Sequence, residues 1–285
     1  MICLWMGCSD TLQGQQDSKI FFPERAFSAQ DNFYAVAAPE EDQAWIVGYH
    51  GKILHTADGG KSWEVQHSGV RAPLFSVSFA DRLHGLVTGR GGIILQTEDA
   101  GKNWQAITPS PTKFSPLSVT HVAPNNAWTV GERGLILKSS DGGRTWEDRS
   151  LSTWEDQNWI DIYGTDVIFN RVLFTDPQNG WIVGEFGKIF HTQDGGKNWT
   201  WQSDITGVNR DWIYLYDIGF LDSEHGWIVG AGGILLATRD GGKSWAAEES
   251  GTDATLYSLD FGKEGALAAG GRGKILQFNP KTKGN

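Results

Sequence analysis

Short runs of alternating apolar and polar residues, each cut off by a glycine-rich turn, fill most of the chain. In the first full unit Phe33-Tyr34-Ala35-Val36-Ala37 alternates and reads as an inner strand. Gln43-Ala44-Trp45-Ile46-Val47-Gly48 follows, and after a turn at Tyr49-His50-Gly51 comes Lys52-Ile53-Leu54-His55-Thr56. A hairpin at Asp58-Gly59-Gly60 then leads into Trp63-Glu64-Val65 as the outer strand. Period-two alternation bounded by glycine turns is the expected signature of short antiparallel strands.

The unit recurs. Second-strand counterparts lie at 85–89, 127–131, 180–184, 226–230 and 266–270, and third-strand counterparts at 93–97, 135–139, 188–192, 234–238 and 274–278. The hairpin phrase occurs five times, as Asp58 to Trp63, Asp99 to Trp104, Asp141 to Trp146, Asp194 to Trp199 and Asp240 to Trp245. Successive copies start 41, 42, 53 and 46 residues apart, a period that suits one four-stranded blade of a β-propeller. The predicted fold is therefore all-β: six four-stranded blades, with seven as the alternative should the stretch from Glu147 to Arg171 hide a degenerate unit. That stretch reads as an extended loop or an extra hairpin, and contains Trp154 and Trp159. The last unit stops at Ile275-Leu276-Gln277-Phe278 without a fourth strand. An unpaired edge is costly, so Ile20-Phe21-Phe22 is expected to supply the missing strand and close the ring. Residues 20–285 then form one propeller domain, and residues 1–19 a leader remnant and tether.

Within each hairpin the aspartate is placed to accept backbone N–H groups, and the glycines permit positive φ. The hairpin tryptophan is expected to pack between neighbouring blades, burying roughly 150–250 Å². Trp45, Trp128, Trp181 and Trp227 form a second series, so nine of the 14 tryptophans occupy repeated positions that call for packing rather than ligand stacking.

Of the 285 residues 34 are acidic and 24 basic, a net charge of -10. That balance argues against a general nucleic-acid binder. The two cysteines, Cys3 and Cys8, both precede the first unit, which leaves the repeat body without a disulfide, a thiolate metal site or a thiol nucleophile. The seven histidines are scattered without zinc-ligand spacing, and Gly89-Arg90-Gly91-Gly92 opens no helix that would hold phosphate. Neither a metal nor a cofactor is expected. Gly7-Cys8-Ser9 resembles the end of a bacterial lipoprotein signal, with Cys8 as the lipidated residue, although Trp5 stands where leucine is usual. An ordinary N-terminus is the competing reading. No apolar stretch is long enough to span a bilayer.

The phrase Thr56-Ala57-Asp58-Gly59-Gly60-Lys61-Ser62-Trp63 resembles the Asp-box of sialidases, sortilin-like receptors and other propellers. The longer unit Gly180-Trp181-Ile182-Val183-Gly184, Gly187 to Thr192 and Asp194 to Trp199 is similar to the repeat of the Ycf48/Hcf136 family, over about residues 20 to 278. That resemblance implies a photosystem II assembly and stability factor, a lumenal lipoprotein in cyanobacteria, with an arginine-rich patch that meets partner polypeptides. Characterised members have seven blades where six are counted here, and related proteins occur in bacteria without photosystem II.

Propeller geometry puts the second-to-third-strand turns and the connections between blades on one face, and the Asp-box hairpins on the other. Arg90, Arg133 and Arg272 fall in such turns, Arg71 and Arg210 precede inner strands, and Arg171 follows the long insert. These six are the candidate protein-binding residues, with Trp154, Trp159, Trp212 and Tyr214 as an aromatic rim. A guanidinium-rich face suits bidentate contacts to carboxylates on an acidic segment. The competing reading pairs each arginine with a neighbouring acid such as Glu132, Glu185 or Asp211. The function expected is a non-catalytic platform, exported and lipid-anchored on the periplasmic or lumenal side, that as a monomer captures segments of immature membrane-protein subunits or assembly intermediates through this arginine-bearing face. A general envelope binding protein in a non-photosynthetic bacterium is one alternative. A sialidase-like glycoside hydrolase is the other, with Arg90, Arg133 and Arg272 around a substrate carboxylate and Tyr49, Tyr214 or Tyr257 as nucleophile; nothing in the pattern singles these out.

Overall fold

The computed structural model describes residues 31–151, 166–202, 205–207, 213–262 and 265–278. The expectations placed on Cys8, residues 20–22, Trp154, Trp159, Arg210 and Trp212 lie outside these residues.

The described chain forms a six-bladed propeller, one antiparallel meander per blade. Blade 1 comprises β1 (Phe33–Ala37), β2 (Ala44–Gly48), β3 (Ile53–Thr56) and β4 (Glu64–Gln66). Blade 2 comprises β5 (Leu74–Phe79), β6 (Gly85–Gly89), β7 (Ile93–Thr97) and β8 (Gln105–Ala106). Blade 3 has β9 (Pro116–Ala123), β10 (Asn126–Gly131), β11 (Ile136–Ser139) and β12 (Glu147–Asp148). Blade 4 has β13 (Phe169–Phe174), β14 (Gly180–Gly184), β15 (Ile189–Thr192) and β16 (Thr200–Trp201). Blade 5 is built from β18 (Leu215–Phe220), β19 (Gly226–Gly230), β20 (Leu235–Thr238) and β21 (Trp245–Ala247), and its outer edge gains β17 (Ile205–Thr206), which runs parallel to β21. Blade 6 has three described strands, β22 (Leu256–Gly262), β23 (Gly265–Gly270) and β24 (Ile275–Phe278).

Two expectations need correction. The ends of the 147–171 stretch are not loop: Glu147 and Asp148 form the outer strand of blade 3, and Arg171 lies inside the inner strand of blade 4. The outer strands of blades 1 to 4 begin just after the hairpin tryptophan rather than at it.

Sheet packing is carried by the second-strand tryptophans. Trp45, Trp128, Trp181 and Trp227 are all buried. At roughly 25 cal/mol per Å² each contributes about 4–6 kcal/mol as an upper bound. The hairpin tryptophans are less uniform: Trp104 and Trp245 are buried, whereas Trp63, Trp146 and Trp199 are half-buried. Trp146 packs in a cluster with Leu86, which stands where other blades have a tryptophan and offers a smaller surface to cover.

Side chains near the axis stitch neighbouring inner strands together. Ser76 Oγ accepts from Val119 N at 3.1 Å, Ser118 Oγ from Val172 N at 3.2 Å, and Asp217 Oδ2 from Leu259 N at 2.9 Å. The inner strands pack in the series β1, β5, β9, β13, β18, β22. The two ends of that series, β1 and β22, do not pack on each other as the other neighbours do.

Candidate functional site

Hydrogen bonding fixes which loops share a face. At the second-to-third-strand turns, Tyr49 N donates to Asn32 O, Arg90 N to Pro73 O, Glu132 N to Ser115 O, Glu185 N to Ile168 O, Ala231 N to Tyr214 O and Gly271 N to Thr255 O, all within 3.1 Å. Each turn is thereby tied to the chain entering the inner strand of its own blade; this is the turn face. On the opposite side Gly59 N donates to Asp42 O, Ala100 N to Leu83 O, Gly142 N to Asn125 O, Gly195 N to Gln178 O and Gly241 N to Glu224 O, which ties each Asp-box hairpin to the first-to-second-strand loop. This is the hairpin face.

The hairpins are built alike. Asp58 Oδ1 accepts from Ser62 N at 2.9 Å and Oδ2 from Ser62 Oγ at 2.6 Å, while Thr56 Oγ1 donates to Asp58 Oδ1 at 2.8 Å and accepts from Gly60 N. Asp99, Asp141, Asp194 and Asp240 repeat the arrangement. These aspartates are consumed by their own turns, which is a structural role.

On the turn face, the tip of each turn is left-handed. His50, Arg133, Phe186 and Arg272 hold φ of 56°, 57°, 55° and 56°, and Gly91 and Gly232 fill the same place in blades 2 and 5. A side chain at such φ costs about 1–2 kcal/mol relative to glycine. Four exposed basic or aromatic residues thus stand at tips where glycine fits more easily. Arg133 and Arg272 belong to this row; Arg90 precedes it by one residue, and Arg71 sits in the connection entering blade 2.

The nominated arginines differ in pairing. Arg71 and Arg90 are exposed and make no ion pair among the described residues. Arg133 lies 3.6 Å from Asp166 and over the Phe114 ring at 5.7 Å, and Arg272 lies 3.4 Å from Asp253; both pairs are exposed. Among the described residues Glu132 and Glu185 pair with no arginine; each accepts a backbone N–H, from Ser115 at 3.0 Å and Ile168 at 3.2 Å. Arg90 and Arg133 lie on the adjacent blades 2 and 3, and Arg272 lies on blade 6. Arg171 is set apart from the tip row. Its Nε is 3.2 Å from Asp217 Oδ1 on the next inner strand, with 41% of its side chain exposed against 10% for Asp217. Burial pushes the Asp217 carboxyl above its ordinary value, opposed by the Arg171 charge and by the N–H groups of Leu259 and Ile218.

His50 and Phe186 were not marked by the sequence pattern. The signal was the shared spacing of Gly48 to Gly51, Gly131 to Gly134, Gly184 to Gly187 and Gly270 to Gly273, whose third member is the tip. Among the described residues no group of three or more His, Cys, Asp or Glu side chains is placed to hold a metal ion.

A family model described as photosynthesis system II assembly factor YCF48 matches residues 17–113, 109–203, 158–247 and 200–279. The photosystem II assembly lipoprotein Ycf48 of Synechococcus sp. (strain CC9902) is 34% identical over 91 residues, which spans 31% of this chain and 24% of that relative. The solved structure of YCF48 from Cyanidioschyzon merolae aligns with 89% of this chain and 97% of its own, at 22% identity and a TM-score of 0.54. A YCF48 structure bound to a D1 peptide aligns with 87% of this chain and 92% of its own, at 21% identity and a TM-score of 0.50. These two likenesses carry the fold; the family match, running in overlapping segments from residue 17 to residue 279, carries the kinship, and the chain belongs to the YCF48 family of photosynthesis system II assembly factors.

Proposed function

We propose that the protein is a non-catalytic platform that captures segments of immature membrane-protein subunits through its turn face, as a photosystem II assembly factor. The observation that carries this reading is the contrast between arginines on the two faces. On the hairpin face Arg82 pairs with Asp42 at 2.9 Å, Arg144 with Glu98 at 2.5 Å and Arg239 with Glu248 at 2.5 Å. Arg71 and Arg90 on the turn face have no such partner among the described residues, and Arg133 and Arg272 have only loose, exposed ones. Guanidinium groups free to fork onto carboxylates suit an acidic polypeptide segment. The D1 peptide held by a YCF48 relative supports a subunit segment as the partner class. The family's lipoprotein member supports a lipid anchor; we put that anchor at Cys8, on the lumenal or periplasmic side, with the protein acting as a monomer.

The test is affinity capture from native photosynthetic membranes with wild type and with Arg90→Glu/Arg133→Glu/Arg272→Glu. Loss of the captured subunit by the triple variant at unchanged melting temperature supports the reading. Retention overturns the face, and turnover of a glycoside substrate overturns the non-catalytic assignment.

A further inference from the structure

All six inner strands carry a one-residue bulge at the same place. Pairing to the second strand jumps from Phe33 to Ala35, Leu74 to Ser76, Pro116 to Ser118, Phe169 to Arg171, Leu215 to Asp217 and Leu256 to Ser258. The residues set out of register are Tyr34, Phe75, Leu117, Asn170, Tyr216 and Tyr257. A bulge re-aims its extra side chain, and bulges gather at barrel rims and beside functional sites. In blades 2, 3 and 5 the residues on either side of the bulge are buried, while the bulged one is partly exposed. Tyr34 and Tyr257 are 49% and 57% exposed. Each bulge lies beside the glycine that ends the second strand, Gly48, Gly89, Gly131, Gly184, Gly230 or Gly270. The six side chains therefore form a collar round the turn-face mouth of the central axis, just inside the row of tips. Equivalent positions on neighbouring blades meet: Tyr34 and Phe75 lie 5.8 Å apart by ring centroids, Tyr216 and Tyr257 5.4 Å, and Asn170 Nδ2 donates to Leu215 O at 2.8 Å.

These rings differ from the core aromatics at the other end of the inner strands. Phe79, Phe174 and Phe220 stack on Trp45, Trp128 and Trp181 at 3.7, 5.7 and 4.3 Å. The collar rings pair with one another and stay at the surface. The collar is also one-sided. Its four aromatics belong to blades 5, 6, 1 and 2, consecutive in the circle, while blades 3 and 4 contribute Leu117 and Asn170. Arg90 and Arg272 stand on blades 2 and 6, in the aromatic half. A Cβ on Gly271 would lie 3.8 Å from Tyr257 Cε2, so that ring leans on the turn whose tip is Arg272. Glu185 lies on the blade 4 side. We infer that this mouth is an anchor site for one apolar side chain of a bound polypeptide, whose adjoining carboxylates meet Arg90 and Arg272. The site lies within the turn face proposed above and rests on that face capturing polypeptides. An exposed aromatic cluster bordered by guanidinium groups complements a chain that joins apolar and acidic side chains.

The probes are two fluorescein-labelled peptides of alternating aspartate and glycine, identical except for phenylalanine or serine at the centre. In anisotropy titrations wild type is expected to bind the phenylalanine peptide about tenfold more tightly, the effect of partly burying one such ring. Tyr34→Ser/Tyr257→Ser is expected to keep the wild-type melting temperature and serine-peptide affinity but lose the preference. Tyr34→Phe/Tyr257→Phe should retain it, and Arg90→Glu/Arg272→Glu should weaken both peptides alike. Equal binding of the two peptides by wild type, or a preference that survives in the serine variant, overturns the anchor site and leaves the turn face standing as a charged surface. Binding of neither peptide overturns the anchor site as well, and the face is then judged by membrane capture alone. Displacement of the phenylalanine peptide by an equal concentration of single-stranded oligothymidylate overturns a polypeptide as the occupant.

Discussion

A Cβ placed on Gly196 would stand 2.2 Å from Trp128 Cζ2, so the second glycine of the fourth Asp-box lies against the tryptophan ring of the blade before it. Gly242 meets Trp181 Nε1 at 2.5 Å and Gly143 meets Leu86 Cδ2 at 2.4 Å in the same way. The hairpin glycine is thus a joint between blades as well as a turn residue. Gly196 also holds φ 75°. Gly196→Ala combines overpacking, about 1–3 kcal/mol, with a left-handed penalty of about 1 kcal/mol. Urea unfolding is expected to show a loss of about 2–4 kcal/mol. Gly232→Ala, at φ 62° with nothing within 4 Å of its Cβ, isolates the backbone cost at about 1 kcal/mol. Equal losses for the two would mean the ring contact carries nothing.

Much of this architecture was legible because each blade repeats the same physical problem. Five Asp-boxes and six Gly-bounded second strands located β2, β6, β10, β14, β19 and β23 to within a residue. What escaped was non-local. Asp217 reads as one polar residue in an apolar strand, and only the register places it beside Arg171 and under Leu259 N. β17 is two residues long and pairs in parallel across a connection, so no local pattern announces it. The tip row needed alignment of turns whose third residue varies among histidine, glycine, arginine and phenylalanine. Composition marked the arginines, but not that those on the hairpin face are paired and two on the turn face are not.

Arg171 and Asp217 replace a simpler device. In blades 2 and 3 the equivalent positions are Ser76 and Ser118, each accepting one backbone N–H from the next inner strand. Asp217→Ala removes the acceptor of Leu259 N and leaves the half-exposed guanidinium unmatched. Removing one partner of a buried pair costs about 3–5 kcal/mol, and the exposure of Arg171 brings the expected loss to about 2–3 kcal/mol. Arg171→Ser with Asp217→Ser should recover most of it, since serine in blades 2 and 3 does the same task uncharged. A double-mutant cycle in denaturant measures the coupling; strict additivity would show that the two side chains act separately.

The Asp-box carboxylates give an acid limit. Asp58 is held at about 2 by the Ser62 side chain, then by Ser62 N–H and the Thr56 hydroxyl. Asp194 is held at about 2 by Asn198 N–H, with the Asn198 side chain and Thr192 adding to it against burial. Folded values below the unfolded 3.8 mean that the unfolded chain binds more protons in this window. The stabilisation is therefore complete above about pH 4 and is lost as pH falls toward about pH 2. Asp58→Asn/Asp194→Asn should unfold at lower urea than wild type at neutral pH, with the gap narrowing across that window. A gap independent of pH would show that these carboxylates are not the titrating groups.

Charge reversal on the turn face separates a binding surface from ordinary surface charge. Arg90→Glu/Arg133→Glu/Arg272→Glu breaks two exposed ion pairs, to Asp166 and Asp253, each worth about 0–1 kcal/mol. Thermal stability should barely change. Arg82→Glu/Arg144→Glu/Arg239→Glu alters net charge identically on the hairpin face, where all three arginines are paired. If the turn face captures an acidic segment, only the first variant loses partner binding. Wild-type binding should also weaken steeply above roughly 0.1 M salt, where the screening length falls to about 10 Å. Equal losses in the two triple variants would trace binding to net charge alone and remove the turn face from the mechanism.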